Sequence, residues 1–77
     1  MNRKQQAAVQ TRAHLIEAAF STLRQHGANN LTLDAVAKAS AVSKGGLLHH
    51  FPTKEALMEA LLRQLFTDYE QQVQGFY

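Results

Sequence analysis

The side chains able to do chemistry are few and mostly clustered. Ser43-Lys44-Gly45-Gly46-Leu47-Leu48-His49-His50 brings together a hydroxyl, an ammonium, two bare backbone units and two imidazoles. A metal site does not fit this run. Adjacent residues of a helix point about 100° apart, whereas a two-His site needs partners three or four positions apart. The remaining histidines, His14 and His26, fall on a different predicted helix, and the 77-residue chain has no Cys to supply a thiolate or a disulfide. A Ser–His–Asp hydrolase is disfavoured by size, because three groups must be oriented around a pocket and so short a helical unit has little room for one. The sequence therefore predicts no metal, no cofactor and no enzyme activity.

Entry into a DNA groove suits the run better. The leading end of a reading helix must be slim, polar and basic, and Ser43-Lys44-Gly45-Gly46 meets that description. Two glycines inside a helix cost roughly 1 kcal/mol each relative to Ala. Two readings account for them: absent side chains let the backbone approach a phosphate or base edge, or they let two helices pack closely. His49 and His50 then serve as groove-side donors or acceptors.

The surrounding pattern is helical throughout. Residues 1–10 are polar without a clear period and are read as a flexible basic arm. From Thr11, a plausible N-cap, the apolar positions Leu15, Ile16, Ala19, Phe20 and Leu23 mark one face of a helix over about 11–26, with Gly27 where a left-handed C-terminal cap is wanted. Gly27-Ala28-Asn29-Asn30 is read as a loop. Thr32 offers a second cap, with Asp34 suiting the first turn of a helix over 33–40 that buries Leu33, Val36 and Ala37. Ser43 caps a third helix ending near Phe51, where Pro52 stops it. Two short helices across a tight turn at 40–43 make a helix-turn-helix. Ala37 and Ala41 are the small residues expected where the helices cross, and Val36, Val42, Leu47 and Phe51 are the expected apolar anchors.

Thr53 caps a fourth helix over 54–77, regular to at least about Gln72. Its apolar positions drift: at about 100° per residue, Leu57 and Leu61 lie at about 0–40° on the helical wheel and Phe66, Tyr69 and Val73 at about 120–180°. One small core cannot bury both sectors. Either the second is an exposed tail, or it packs on something outside these residues. The predicted fold is all-α: a three-helix, homeodomain-like helix-turn-helix bundle over 11–53, with its motif at about 32–51, plus the start of a long linking helix.

Size and charge agree with that organisation. A chain this short is one domain, with a core worth only about 3–5 kcal/mol. No apolar run exceeds three residues, far below the ~20 needed to cross a bilayer, so a cytoplasmic location without membrane contact is expected. Residues 1–54 hold seven basic side chains against two acidic ones, a net +5, and residues 55–77 hold one against four, a net −3. One end only is suited to an anionic partner.

The stretch from Thr32 to Leu57, with its turn at 40–43, Phe51-Pro52 stop and Lys54-Glu55, resembles the DNA-binding domain of the TetR family of bacterial transcriptional regulators. Thr11-Arg12, Leu15-Ile16-Glu17-Ala18-Ala19 and Gly27 resemble that family's first helix, so the likeness covers about 11–65. The resemblance implies a homodimer that binds a palindromic double-stranded operator, usually as a repressor. It also implies a larger C-terminal domain, beyond these residues, that dimerises and binds a small-molecule effector whose binding releases the DNA. By position it places Ser43, Lys44, Gly45 and Gly46 at the groove-entering start of the reading helix and Leu48, His49 and His50 on its outer face. Lys54, Thr32, Thr11 and Arg12 fall on backbone-contacting positions. Two residues depart from the family pattern. Leu48 replaces a frequent Tyr, exchanging a phenol–phosphate bond for an apolar contact such as a thymine methyl. Ala41 replaces a frequent Gly; either it is left-handed at about 1–2 kcal/mol, or the turn differs here. The competing function is a small helical module whose basic face binds an acidic protein, without dependence on duplex DNA.

Overall fold

A computed structural model describes residues 3–74, with side-chain surroundings over 6–72. Four helices follow one another: α1 (Arg3–His26), α2 (Leu33–Ser40), α3 (Lys44–His50) and α4 (Lys54–Gln74), with a 3-10 turn at Ala28–Asn30 between the first two. Among the described residues there is no strand, as the helical periodicity implied.

α1 starts eight residues before Thr11, so the segment read as a flexible arm is helical from Arg3 onward. The physical reason is local: Lys4, Gln5, Gln6, Ala7 and Ala8 are strong helix formers, and no Gly or Pro interrupts them. Thr11 is consequently a mid-helix residue, half-buried, and caps nothing. The other end of α1 closes near the expected place. Gly27 donates its N–H to Leu23 O at 2.9 Å, and Asn30 Nδ2 donates to His26 O at 2.7 Å, satisfying a terminal carbonyl. Gly27 has φ +82° as a cap glycine should, but ψ 166° takes it out of the left-handed helical region. The chain leaves sideways, and the residues read as an irregular loop form the 3-10 turn.

Thr32, Ser43 and Thr53 each cap the helix that follows. Their hydroxyl oxygens accept from the third-position amides of Ala35 (3.0 Å), Gly46 (3.1 Å) and Ala56 (3.0 Å). These caps set the starts of α2, α3 and α4 to the residue predicted.

α1 packs on α2 and α4, and α2 packs on α3. The core is Leu15, Ala18 and Ala19 of α1, Leu31, Val36, Leu47, Phe51, and Leu57, Ala60 and Leu61 of α4, with Ile16, Phe20, Leu23, Leu33, Ala37, Val42 and Met58 at its edge. Leu31 is fully buried although it lies between helices, where no periodicity could mark it. Ala41 does not sit at the helix crossing. It is exposed and left-handed at φ 58°, ψ 22°, and forms the turn itself. Beyond Leu61, α4 contributes nothing to this core: Leu62, Leu65, Phe66 and Tyr69 are all more than half exposed. Val73 lies outside the described side chains.

Candidate nucleic-acid interface

α3 owes its position to one buried edge. Leu47 is fully buried, Phe51 at its end is 1% exposed, and both anchor it on the core. Lys44, Gly45, Leu48 and His49 are exposed and, at about 100° per residue, share one continuous arc of about 140° that leaves out Leu47. Gly46 and His50 lie half-buried on its flanks. His50 thus departs from the expected outer face. It turns toward α1 and α4, where Arg12, Phe51, Ala56 and Arg63 line the same shallow groove.

The two glycines have different reasons to be there. A Cβ on Gly45 would meet nothing within 4 Å, so packing does not require its absence, and the backbone there is bare to solvent. A Cβ on Gly46 would lie 3.2 Å from both Ser43 Oγ and Val42 Cγ1. That glycine lets the Ser43 cap close against Val42. Neither contact is with another helix, so close helix–helix packing is not what Gly46 provides; its need is local to the cap and the turn.

Polar groups gather at both ends of α3. At its start, Lys44 Nζ lies 2.8 Å from Asp34 Oδ1 in the first turn of α2, in an exposed ion pair that brings the α2 start, with Thr32, beside the α3 start. Exposed pairs of this kind contribute about 0–1 kcal/mol, so Lys44 is free to exchange its partner. The Ser43 and Thr32 hydroxyls accept in their caps, and each keeps an O–H to donate outward. At the far end, the Arg12 guanidinium stacks 4.6 Å from the Phe51 ring centroid. Lys54 opens α4 three residues later, exposed. Arg12 and Thr11 lie well inside α1 rather than at its start, so no helix terminus assists them.

The His50 imidazole titrates below its ordinary value of 6.5, chiefly because burial disfavours its charged form and further because the His49 and Arg12 charges repel a proton. Its ring lies edge-on to His49 at 5.4 Å and tilted against Phe51 at 6.4 Å. Periodicity identified neither the Asp34–Lys44 pair nor the Arg12–Phe51 stack. Arg12 and Phe51 lie 39 positions apart, and no local spacing signals such a contact.

Four short-to-long helices with a capped, exposed, glycine-bearing helix following a left-handed turn define a helix-turn-helix DNA-binding domain. Residues 15–61 match the family model described as "Bacterial regulatory proteins, tetR family". The chain belongs to the TetR family, as the DNA-binding domain of a transcriptional regulator. It is 36% identical over 64 residues to the HTH-type transcriptional regulator UidR of Escherichia coli K12, covering 83% of this chain and 33% of that protein. The same figures hold for UidR of Shigella flexneri. Against the HTH-type transcriptional regulator RutR of Escherichia coli K12 identity is 43% over 51 residues, covering 66% of this chain and 24% of the relative. The chain thus spans about a quarter to a third of the length of these curated relatives. No solved structure matches it at the same stringency. Among the described residues, no helix is long and apolar enough to cross a membrane.

Proposed function

We propose that this domain reads one half of a palindromic operator for a homodimeric, cytoplasmic repressor that a small molecule releases from DNA. The observation that carries the reading is the outward face of α3, where Lys44, Gly45, Leu48 and His49 stand exposed with no packing duty. Seven residues at 1.5 Å rise make α3 about 10 Å long, close to the ~12 Å width of the major groove. Polar groups at its two ends are thereby spaced to meet phosphates on either side of the groove it enters.

The roles divide by chemistry. Ser43, Thr32, Lys54 and Arg12 contact phosphates and set register, carrying most of the salt dependence. Gly45 admits the duplex to the backbone, and Gly46 holds the cap that presents it. Leu48 offers a thymine methyl an apolar contact, while His49 donates to or accepts from a base edge. His50 lines the shallow groove that it shares with Arg12, and Thr11 lies beside Arg12 on α1. Dimerisation and effector binding fall to the part of the relatives' length that this chain does not span. Regulation rather than catalysis is the work proposed for the whole protein, in keeping with the regulators it resembles.

Selection from random-sequence duplexes with the complete protein tests this. The expected product is an inverted repeat whose half-sites lie one helical turn apart, about 34 Å, or a multiple of it. Enrichment of an asymmetric single site rejects the dimer, and no enrichment at all rejects α3 as a reading helix. His49→Ala is expected to change the preference at one symmetric base position by about 1–3 kcal/mol while leaving the others as they were.

A further inference from the structure

We propose that His14, on α1, is a positioning residue for the reading helix: its imidazole holds the Ser40 carbonyl and so fixes the turn from which α3 is aimed. His14 Nε2 lies 2.8 Å from Ser40 O, across 26 positions of sequence. A carbonyl oxygen can only accept, so Nε2 carries the proton. Apart from the Lys44–Asp34 ion pair, every other side-chain hydrogen bond among the described residues joins groups four or fewer positions apart.

The bond meets a need created by where α2 stops. A helix leaves its last carbonyls without intrahelical partners, and α2 ends inside the domain, with Ser40 only 5% exposed. Ala37 O accepts from Ser40 Oγ at 3.1 Å, and Lys38 O accepts from the Ala41 N–H at 3.3 Å. Ser40 O is left for His14. The Ser40 hydroxyl also accepts from the Val42 N–H at 3.2 Å. Ser40 is therefore tied to α1, to its own helix and to the residue beyond the turn.

Between Ser40 and Val42 stands Ala41, left-handed at φ 58°. A residue in a sparsely populated conformation persists only when its surroundings over-determine it. Among the described residues, His14 supplies the one hydrogen bond that reaches this turn from outside the motif. It projects from a rigid place, next to the fully buried Leu15. Two residues earlier, Arg12 stacks on Phe51 at the end of α3. α1 thus grips the motif at both ends of α3, at the turn that precedes it and at the aromatic residue that closes it.

The proposal deepens the DNA-reading role and rests on it. The test uses the complete protein with His14→Leu, His14→Gln and His14→Asn, measured on the selected duplex and on a scrambled one over a range of salt. Gln places an amide N–H near the position of Nε2, whereas the Asn side chain ends one methylene short. His14→Leu and His14→Asn are expected to lose about tenfold on the selected duplex, about 1.4 kcal/mol, with scrambled-duplex affinity and salt slope unchanged. His14→Gln is expected to bind as the parent does, and its Ala41 and Val42 amide resonances should return to the parent positions from which Leu and Asn displace them. If His14→Leu does not fold, the Gln and Asn variants decide the matter. A Leu variant that keeps the parent's ratio between the duplexes, equal losses on both, or Gln and Asn behaving alike, overturns the assignment. If α3 is not the reading helix, the parent protein itself shows no preference, which separates that failure from this one.

Discussion

Ala41 stores the clearest local strain among the described residues, where it is the one non-glycine with positive φ. A side chain in that region costs about 1–2 kcal/mol, and glycine relieves it at an added unfolded-state entropy of about 0.5–1 kcal/mol. Because Ala41 is exposed, its methyl gives up no core contact on removal. Ala41→Gly should therefore stabilise the domain by about 0.5–1 kcal/mol. For a domain this small each kcal/mol moves the midpoint by about 4–8 °C, so thermal unfolding reads the effect directly, and a lowered midpoint would contradict a left-handed turn. The features legible in the sequence act over three positions or fewer. Thr32, Ser43 and Thr53 bond an amide three residues on, and Pro52 acts on its immediate neighbour. Sequence leaves the conformation of Ala41 open because the residues beside it are held in part from a distance: one of the three ties of Ser40 comes from His14 on another helix.

At the scale of elements, the same division explains where boundaries were and were not foreseen. α2, α3 and the start of α4 have caps and a stop signal, and their limits follow from them. α1 has no such signal at its beginning. Thr11 has the type of a cap, but the residues before it favour helix as strongly as those after, so nothing turns the chain there. Interhelical packing explains the misassigned face of His50 too: its direction depends on α1 and α4 closing over the end of α3. That burial has a pH consequence. An unfolded His titrates near 6.5, and the folded value is lower. Between the two values the unfolded chain binds the extra proton, so stability rises with pH. The contribution of neutral His50 is complete above about pH 6.5 and is lost as pH falls through the folded value. Without DNA, the fall in melting temperature between about pH 7.5 and 5.5 should be smaller for His50→Gln than for the parent. Equal falls would show that burial and the neighbouring His49 and Arg12 charges do not hold His50 neutral.

For the whole molecule, α4 is the element whose pattern exceeds what the described core can use. Leu57 and Leu61 are 0% and 3% exposed, while Leu62, Leu65, Phe66 and Tyr69 are exposed by 63%, 52%, 65% and 64%. The helical wheel anticipated the split, since two sectors so far apart cannot both face one small core. Its charges follow the same line, with the net +5 half carrying α3 and the net −3 half carrying the outer part of α4. In the 77-residue chain, Leu62→Gln together with Phe66→Gln should leave the melting temperature nearly unchanged, because neither side chain loses packing. Leu61→Ala in the same chain should lower stability by about 2–5 kcal/mol, most or all of what so small a core provides. In a longer protein that carries this domain together with the remaining length of its relatives, the expectation for the Gln pair reverses. Large apolar groups concentrated on one helix mark a surface that is normally covered, and the relatives' greater length leaves room for a cover. There the same two substitutions should destabilise by several kcal/mol, as buried Leu and Phe replacements do. Thermal unfolding of both chains with both sets of substitutions decides it. If the Gln pair is as harmless in the longer protein as in the 77-residue chain, the outer face of α4 has no intramolecular partner, and the linking role of that helix fails.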